Sequence, residues 1–457
     1  MTAAESLGRF AAELRWETLD SAVKAKIKLH VLDTVGVMSA GAESEEVQAV
    51  RAVAQARGGV GEATTVGWAI RLPAPDSAFL NAFQGRIYTL DDTYEPGPMH
   101  PGSVVIAAAM ACSEAAGTSG RRFLEAVAAG YEVAVRIAHA VHPAHYAAGF
   151  HPTGTCAVFG AGAAAARALG LSPKATAITL GLAGEMSAGL RQYQEDGSMA
   201  DSALNGARAA EAGVIAARLA AEGFEAPRAI LEGRWGFFQV MAQAADVQSV
   251  TEKLGRQYRF LATSLKPYAG CRFTHGPVEV ALTLRAEANI DPGDIESVEI
   301  ATFQQSVEVS NRPEPETSSE AILSHQYAVA LAMLYGRVTL EEYLEPVISQ
   351  VELRQLYARV RVVHDPSLDS HYPDQWPHRV TIRLRGGREI SGESHFPPGG
   401  PEAPLPEEEV VAKFRGLAGK YLGVDPADRI SNAVFELESL ADMRDFTRQL
   451  ELREVAA

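Results

Sequence analysis

The sequence has 457 residues, 47% of them apolar and 21% charged. That balance belongs to a folded globular chain, and the length predicts two domains of unequal size. A formal charge of −16 with no Lys/Arg-rich run argues against a nucleic-acid partner, but it leaves anionic small molecules open, because a pocket's local charge can oppose the global one.

Residues 1 to about 260 read as helical. Glu5, Arg9 and Glu13 interrupt the start, so no secretory signal is expected there. Val23, Ile27, Val31, Leu32 and Val35 recur at helical spacing over residues 21–37. Asp76 or Ser77 is expected to cap a helix running through Phe79, Leu80 and Phe83 toward Leu90. The apolar runs at 104–112 and 156–166 fall short of the roughly 18 residues of a membrane span and read as buried helices. Residues 123–141 are another long periodic segment. The Ala-rich stretch 158–169 stops at Gly170, and a helix over about 204–221 stops at Gly223.

The pattern changes near residue 265. Residues 297–303, 358–364 and 380–384 alternate or carry β-branched side chains, as strands do. Arg385-Gly386-Gly387-Arg388 reads as a hairpin turn into 389–391, and helices at about 279–287 and 325–335 interleave with the strands. Pro397-Pro398-Gly399-Gly400-Pro401 then breaks the chain, and helical character returns from Glu407 to the end, expected to pack back onto the first helices. The expected fold is mainly α. A large all-helical domain is formed by 1–264 with 400–457, and a smaller α/β (α+β) domain by 265–399. Cys112, Cys156 and Cys271 lie far apart without Cys-x-x-Cys spacing, which fits a reducing cytoplasm and no zinc site.

Four stretches combine turn residues with ionisable groups. In Asp91-Asp92-Thr93 through His100-Pro101-Gly102-Ser103, two acids end one helix and a histidine opens the next. A cationic ring is disfavoured at a helix N-terminus, so a neutral imidazole there could serve as base or donor beside a bound carboxylate. Against this stands the plainer reading of caps and local hydrogen bonds. His151-Pro152-Thr153-Gly154-Thr155 places a second histidine before a helix start. Lys266 through Cys271, Arg272 and His275 forms a positive patch at the expected domain boundary, suited to carboxylates or equally to a solvated linker. Gly189 through Ser198 reads as a polar connector. The chain contains no dinucleotide fingerprint, P-loop, H-E-x-x-H or G-x-S-x-G.

Taken in order, these stretches resemble the MmgE/PrpD family. The resemblance rests on Asn81 with Leu90-Asp91-Asp92-Thr93, His100-Pro101-Gly102, Gly130-Tyr131-Glu132-Val133 and Phe150-His151-Pro152-Thr153-Gly154-Thr155. It continues through Asp196-Gly197-Ser198, Lys266-Pro267-Tyr268, Cys271, His275 and Pro397-Pro398-Gly399, and so covers essentially the whole chain. It implies a helical domain with an α/β lid, a homodimer, a site between domain and lid, and no metal or organic cofactor. It also implies proton transfer next to a carboxylate on a small polycarboxylate. Thr93, His100, His151 and Lys266 fall on family active-site positions, and Cys271 falls where decarboxylating members have a histidine.

The chain departs from the family in places. The acidic motif's first acid is Thr89, and the histidine before it is Arg86. The family's lysine position is Asp201 or Ser202, its histidine position Asn205, and a tyrosine of the decarboxylases is Val309. The expectation is therefore a lyase of dehydratase type. His151 and Lys266 carry the chemistry, aided by His100 and Asp92, while Thr93, Asp91, Arg86, Thr153, Cys271, Arg272 and His275 bind substrate. Decarboxylation, epimerisation or a repurposed ligand-binding role are the alternatives.

Overall fold

The computed structural model describes residues 1–242 and 244–451, with the backbone but not the side chains of Met199 and Asp201. The expectation at Asp201 and the last residues of the C-terminal segment lie outside what is described.

Six helices dominate the first part: α1 (Ser21–Gly41), α2 (Ala74–Arg86), α3 (Pro101–Ala116), α4 (Gly120–Val141), α5 (Ala157–Leu169) and α6 (Met199–Ala221). Helices α3 and α5 are apolar all round and buried almost end to end, which makes them central. Small residues let them approach closely. A Cβ on Gly130 of α4 would sit 2.5 Å from Val105 Cγ1 of α3, and one on Gly160 of α5 would sit 2.6 Å from the Gly130 carbonyl. Ser119 caps α4, while Gly117 and Gly170 end α3 and α5 in the left-handed conformation.

Helix α2 corrects one expectation. Pro73, not Asp76 or Ser77, is its N-cap residue, and Pro75 pre-sets the first turn. Ser77 instead donates to the Thr64 carbonyl at 2.8 Å. The helix ends at Arg86, short of Leu90, and Thr89 follows with φ +52°. Helix α6 starts five residues before the expected 204.

The second part holds α7 (His275–Ala288), α8 (His325–Tyr335) and a four-stranded sheet of β3 (Ile295–Thr302), β4 (Val360–His364), β5 (His378–Leu384) and β6 (Glu389–Ser394). Strand order is β4-β3-β5-β6, with β3 and β4 parallel and the other pairs antiparallel. Ile295, Val298 and Ile300 of β3 and Val380 and Ile382 of β5 share one buried cluster with Val278 of α7 and Tyr327 of α8. The β5–β6 turn has Gly386 and Gly387 at φ +93° and +84°, as a two-residue hairpin needs.

A final long helix, α9 (Glu407–Tyr421), returns to the first part. Its Val410, Phe414 and Ala418 join the first helices' core, and Lys413 Nζ meets Asp33 Oδ1 of α1 at 2.6 Å. The expected fold class is therefore the observed one: mainly helical, with a small α/β part. One pairing was not expected. β1 (Thr93–Tyr94) and β2 (Thr263–Ser264) form an antiparallel pair that ties the acidic segment to the start of the Lys266 segment.

Candidate functional site

All four flagged stretches reach one cavity, and this pairing joins the first to the third. Arg86, Thr89, Thr93 and His100 line it from one side, and His151, Tyr146, Tyr193 and Gln194 from another. Cys271, Arg272, Phe273, Val309, Leu323 and Trp376 close it from the second part.

His100 is the N-cap residue of α3, held outside the helix by the following Pro101. Its Nδ1 lies 2.7 Å from the Asp92 carbonyl oxygen and 3.3 Å from Thr93 Oγ1. Its backbone N–H donates to Thr153 Oγ1 at 3.0 Å, so Thr153 positions His100 rather than facing the cavity. His151 stands before a four-residue turn, Pro152–Thr155, with its Nδ1 3.2 Å from Asn205 Nδ2 and its ring against Tyr193. Burial holds both imidazoles well below the usual histidine range, and the nearby Arg86 charge adds to this. Both are neutral at physiological pH.

The expected anion at the start of α3 is the protein's own. Asp92 Oδ1 accepts from the Gly102 N–H at 2.8 Å, and its Oδ2 meets His30 Nδ1 at 2.7 Å and the Tyr131 hydroxyl at 2.6 Å. Asp92 is therefore committed behind the cavity and does not line it. Asp91 likewise accepts from Arg86 Nη1 at 3.1 Å and from Ser103 Oγ at 2.9 Å. Burial raises its pKa, opposed by Arg86 and Lys266.

Lys266 is also set back from the cavity wall. Its Nζ donates to the Thr89 carbonyl at 2.6 Å, and burial pulls its pKa down to about 7. Arg272 lines the cavity, but its donors are spoken for. Nε reaches Glu95 Oε1 at 2.5 Å, and Nη1 and Nη2 reach the carbonyls of Pro398 and Pro397 at 2.5 and 3.0 Å. It joins the β1 loop to the proline-rich segment. His275 lies beneath it with its Nδ1 3.4 Å from Arg272 Nη1, away from the cavity.

The available cation is Arg86. It is buried at 2% exposure, spends one N–H on Asp91, and has an Nε–H with no partner among the described residues. An unpaired buried guanidinium N–H is costly, and the Arg86 side chain lines the cavity with fewer donors committed than Arg272.

Tyr146, Tyr193 and Gln194 were not picked out from sequence. Tyr193 and Gln194 lie in the Gly189–Ser198 stretch read as a connector, whose short helix Gln192–Asp196 turns them inward. Tyr146 and Trp376 carried no local signal. Among the described residues, no group of three or more His, Cys, Asp or Glu is placed to hold a metal ion.

Comparison with known proteins agrees with the resemblance. The family model described as MmgE/PrpD N-terminal domain matches residues 5–249, and that described as MmgE/PrpD C-terminal domain matches residues 268–439. A Mus musculus protein named cis-aconitate decarboxylase is 27% identical over 471 residues, covering 98% of this chain and 93% of its own length. The Homo sapiens protein of the same name is 28% identical over 403 residues, covering 83% and 80%. An Aspergillus oryzae cis-aconitate decarboxylase-like protein is 25% identical over 413 residues, covering 84% of each chain. Matched by both models over most of its length, this chain belongs to the MmgE/PrpD family.

Proposed function

We propose that the chain is a cofactor-independent lyase of dehydratase type, acting on a small hydroxylated di- or tricarboxylic acid of the 2-methylcitrate kind. The observation that carries this is the pair of neutral imidazoles, His100 and His151, lining one cavity with the under-used guanidinium of Arg86. Dehydration beside a carboxylate needs a base for the C–H proton, an acid for the departing hydroxyl, and a cation for the charge that develops on the carboxylate. His100 and His151 supply the first two and Arg86 the third. Thr93 and Gln194 are further hydrogen-bonding groups of the wall, and Cys271 shapes its second-part side. Asp91, Asp92, Thr153, Lys266, Arg272 and His275 hold these groups in place.

The second reading is decarboxylation of an unsaturated tricarboxylate, supported by the names of the relatives. It needs one proton donor rather than a donor and an acceptor. The wall carries Val309, with no hydroxyl, at a position where the family resemblance implies a tyrosine in decarboxylating members. The test is ¹H NMR of the purified protein with hydroxy and unsaturated polycarboxylates. Dehydration yields a vinyl resonance without CO₂, and decarboxylation releases CO₂. Turnover of neither class would sink both readings.

A homodimer is part of the proposal and rests on the family resemblance. A monomer by sedimentation would remove it. The free thiols of all three cysteines support a cytoplasmic setting, and among the described residues no helix is long and apolar enough to cross a membrane.

A further inference from the structure

We propose that Asn205 is a positioning residue that fixes His151 as the proton donor of the pair, opposite His100 as the acceptor. The inference rests on the lyase reading for its purpose but on hydrogen-bond logic for its content. Asn205, on α6, places its Nδ2 3.2 Å from His151 Nδ1 and 3.2 Å from the Leu190 carbonyl oxygen. A backbone carbonyl only accepts, so the amide atom facing Leu190 is the NH₂ group. Its second hydrogen then points at His151 Nδ1, which must offer a lone pair. A neutral imidazole carries one hydrogen, and in His151 that hydrogen is left on Nε2.

The same reasoning gives His100 the other tautomer. Its Nδ1 faces the Asp92 carbonyl at 2.7 Å, with an Asp91 carboxylate oxygen at 3.6 Å. Both are acceptors, so Nδ1 holds the hydrogen and Nε2 holds the lone pair. Each ring thus has its Nδ1 committed to the protein, and each lines the same cavity. One ring is left with Nε2 free to accept, the other with Nε2–H free to donate.

The division of labour follows. His100 Nε2 takes the proton from the carbon next to the carboxylate. The C–O bond breaks, a C=C bond forms, and the hydroxyl leaves as water with the proton from His151 Nε2. His100 is then an imidazolium and His151 an imidazolate; the product water passes a proton from His100 Nε2 to His151 Nε2, and both rings return to their starting tautomers. A second link keeps the arrangement rigid. The His151 backbone N–H donates to the Gly189 carbonyl at 3.1 Å, so the Gly189–Leu190 backbone holds both ends of the His151–Asn205 contact.

The experiment is long-range ¹H–¹⁵N correlation spectroscopy on the full chain with ring-¹⁵N histidine, assigned with H151Q and H100Q. The expected wild-type spectrum shows an unprotonated Nδ1 and protonated Nε2 for His151, and the reverse for His100. In N205L the His151 signals should move toward a tautomer mixture while those of His100, an internal check on the fold, stay fixed; kcat should fall by roughly two orders of magnitude. A wild-type His151 protonated on Nδ1, or His151 signals unmoved in N205L, overturns the proposal. These spectra need no substrate. Failure of Asn205 in this role is therefore read separately from failure of the lyase reading, which would show as absent turnover with the tautomers as described.

Discussion

Thr89 shows how local strain and the site meet in one residue. It is β-branched, holds φ +52°, and buries an Oγ1 with no partner among the described residues, while its carbonyl takes the Lys266 ammonium. The left-handed region costs such a residue about 1–2 kcal/mol, and asparagine tolerates it better. T89N should raise the melting temperature, and an unchanged or lower value would show that the strain is absorbed elsewhere. His151 answers a different measurement. H151Q should keep the wild-type melting curve and lose at least about 100-fold in kcat. Lys266 sets a pH dependence. Its folded pKa is about 7 against an ordinary 10.5, so from pH 7 to 10.5 the unfolded chain binds more protons there than the folded one. The penalty for burying it is full below pH 7 and fades as pH rises. Wild type should therefore gain more stability than K266M between pH 7 and 9.5, and equal gains would place the proton elsewhere.

At the scale of elements, the site exists because two short strands and one arginine hold the parts together. The β1–β2 pair sets the acidic segment beside Lys266, and Arg272 ties Glu95 to the carbonyls of Pro397 and Pro398. Arg272 is 3% exposed, so R272M leaves the two proline carbonyls without their donor and Glu95 with only the Ser264 hydroxyl. A loss of about 3–5 kcal/mol is expected, with faster amide exchange in the 266–275 segment than in α5. Uniform exchange would mean that the contact is not a structural tie. Elements of this kind were not legible in the sequence. A two-residue strand has no period, and a clamp between residues 95, 272 and 398 has no local pattern. Long periodic elements were legible, α8 to the residue, because burial on one or all faces writes itself into spacing. The start of α2 was misplaced because Asp76 and Ser77 look like caps, while Pro73 and Pro75 open the helix without one.

At the scale of the molecule, ordered motifs pointed to the family before any geometry was known, and both family models cover the chain. His100 and His151 were legible as site residues because each stands before a proline at a helix start, and Arg86 because it takes the place of a histidine in the family's motif. The placement of Asp92 and Lys266 was not legible. Spacing gave no sign that Gly102, His30 and Tyr131 would claim one, or that backbone carbonyls would claim the other. Tyr146 and Trp376 reach the cavity only through the fold. The central claim is that neutral His100 and His151 exchange protons with a small hydroxylated polycarboxylate beside Arg86. It is tested most directly by ¹H NMR of the wild-type protein and H151Q with 2-methylcitrate-like hydroxy acids and cis-aconitate-like unsaturated acids. The account predicts a vinyl product and water from a hydroxy acid with wild type, formed at least about 100-fold more slowly with H151Q. Full turnover by H151Q, or CO₂ release from the unsaturated acid as the only reaction, would contradict it.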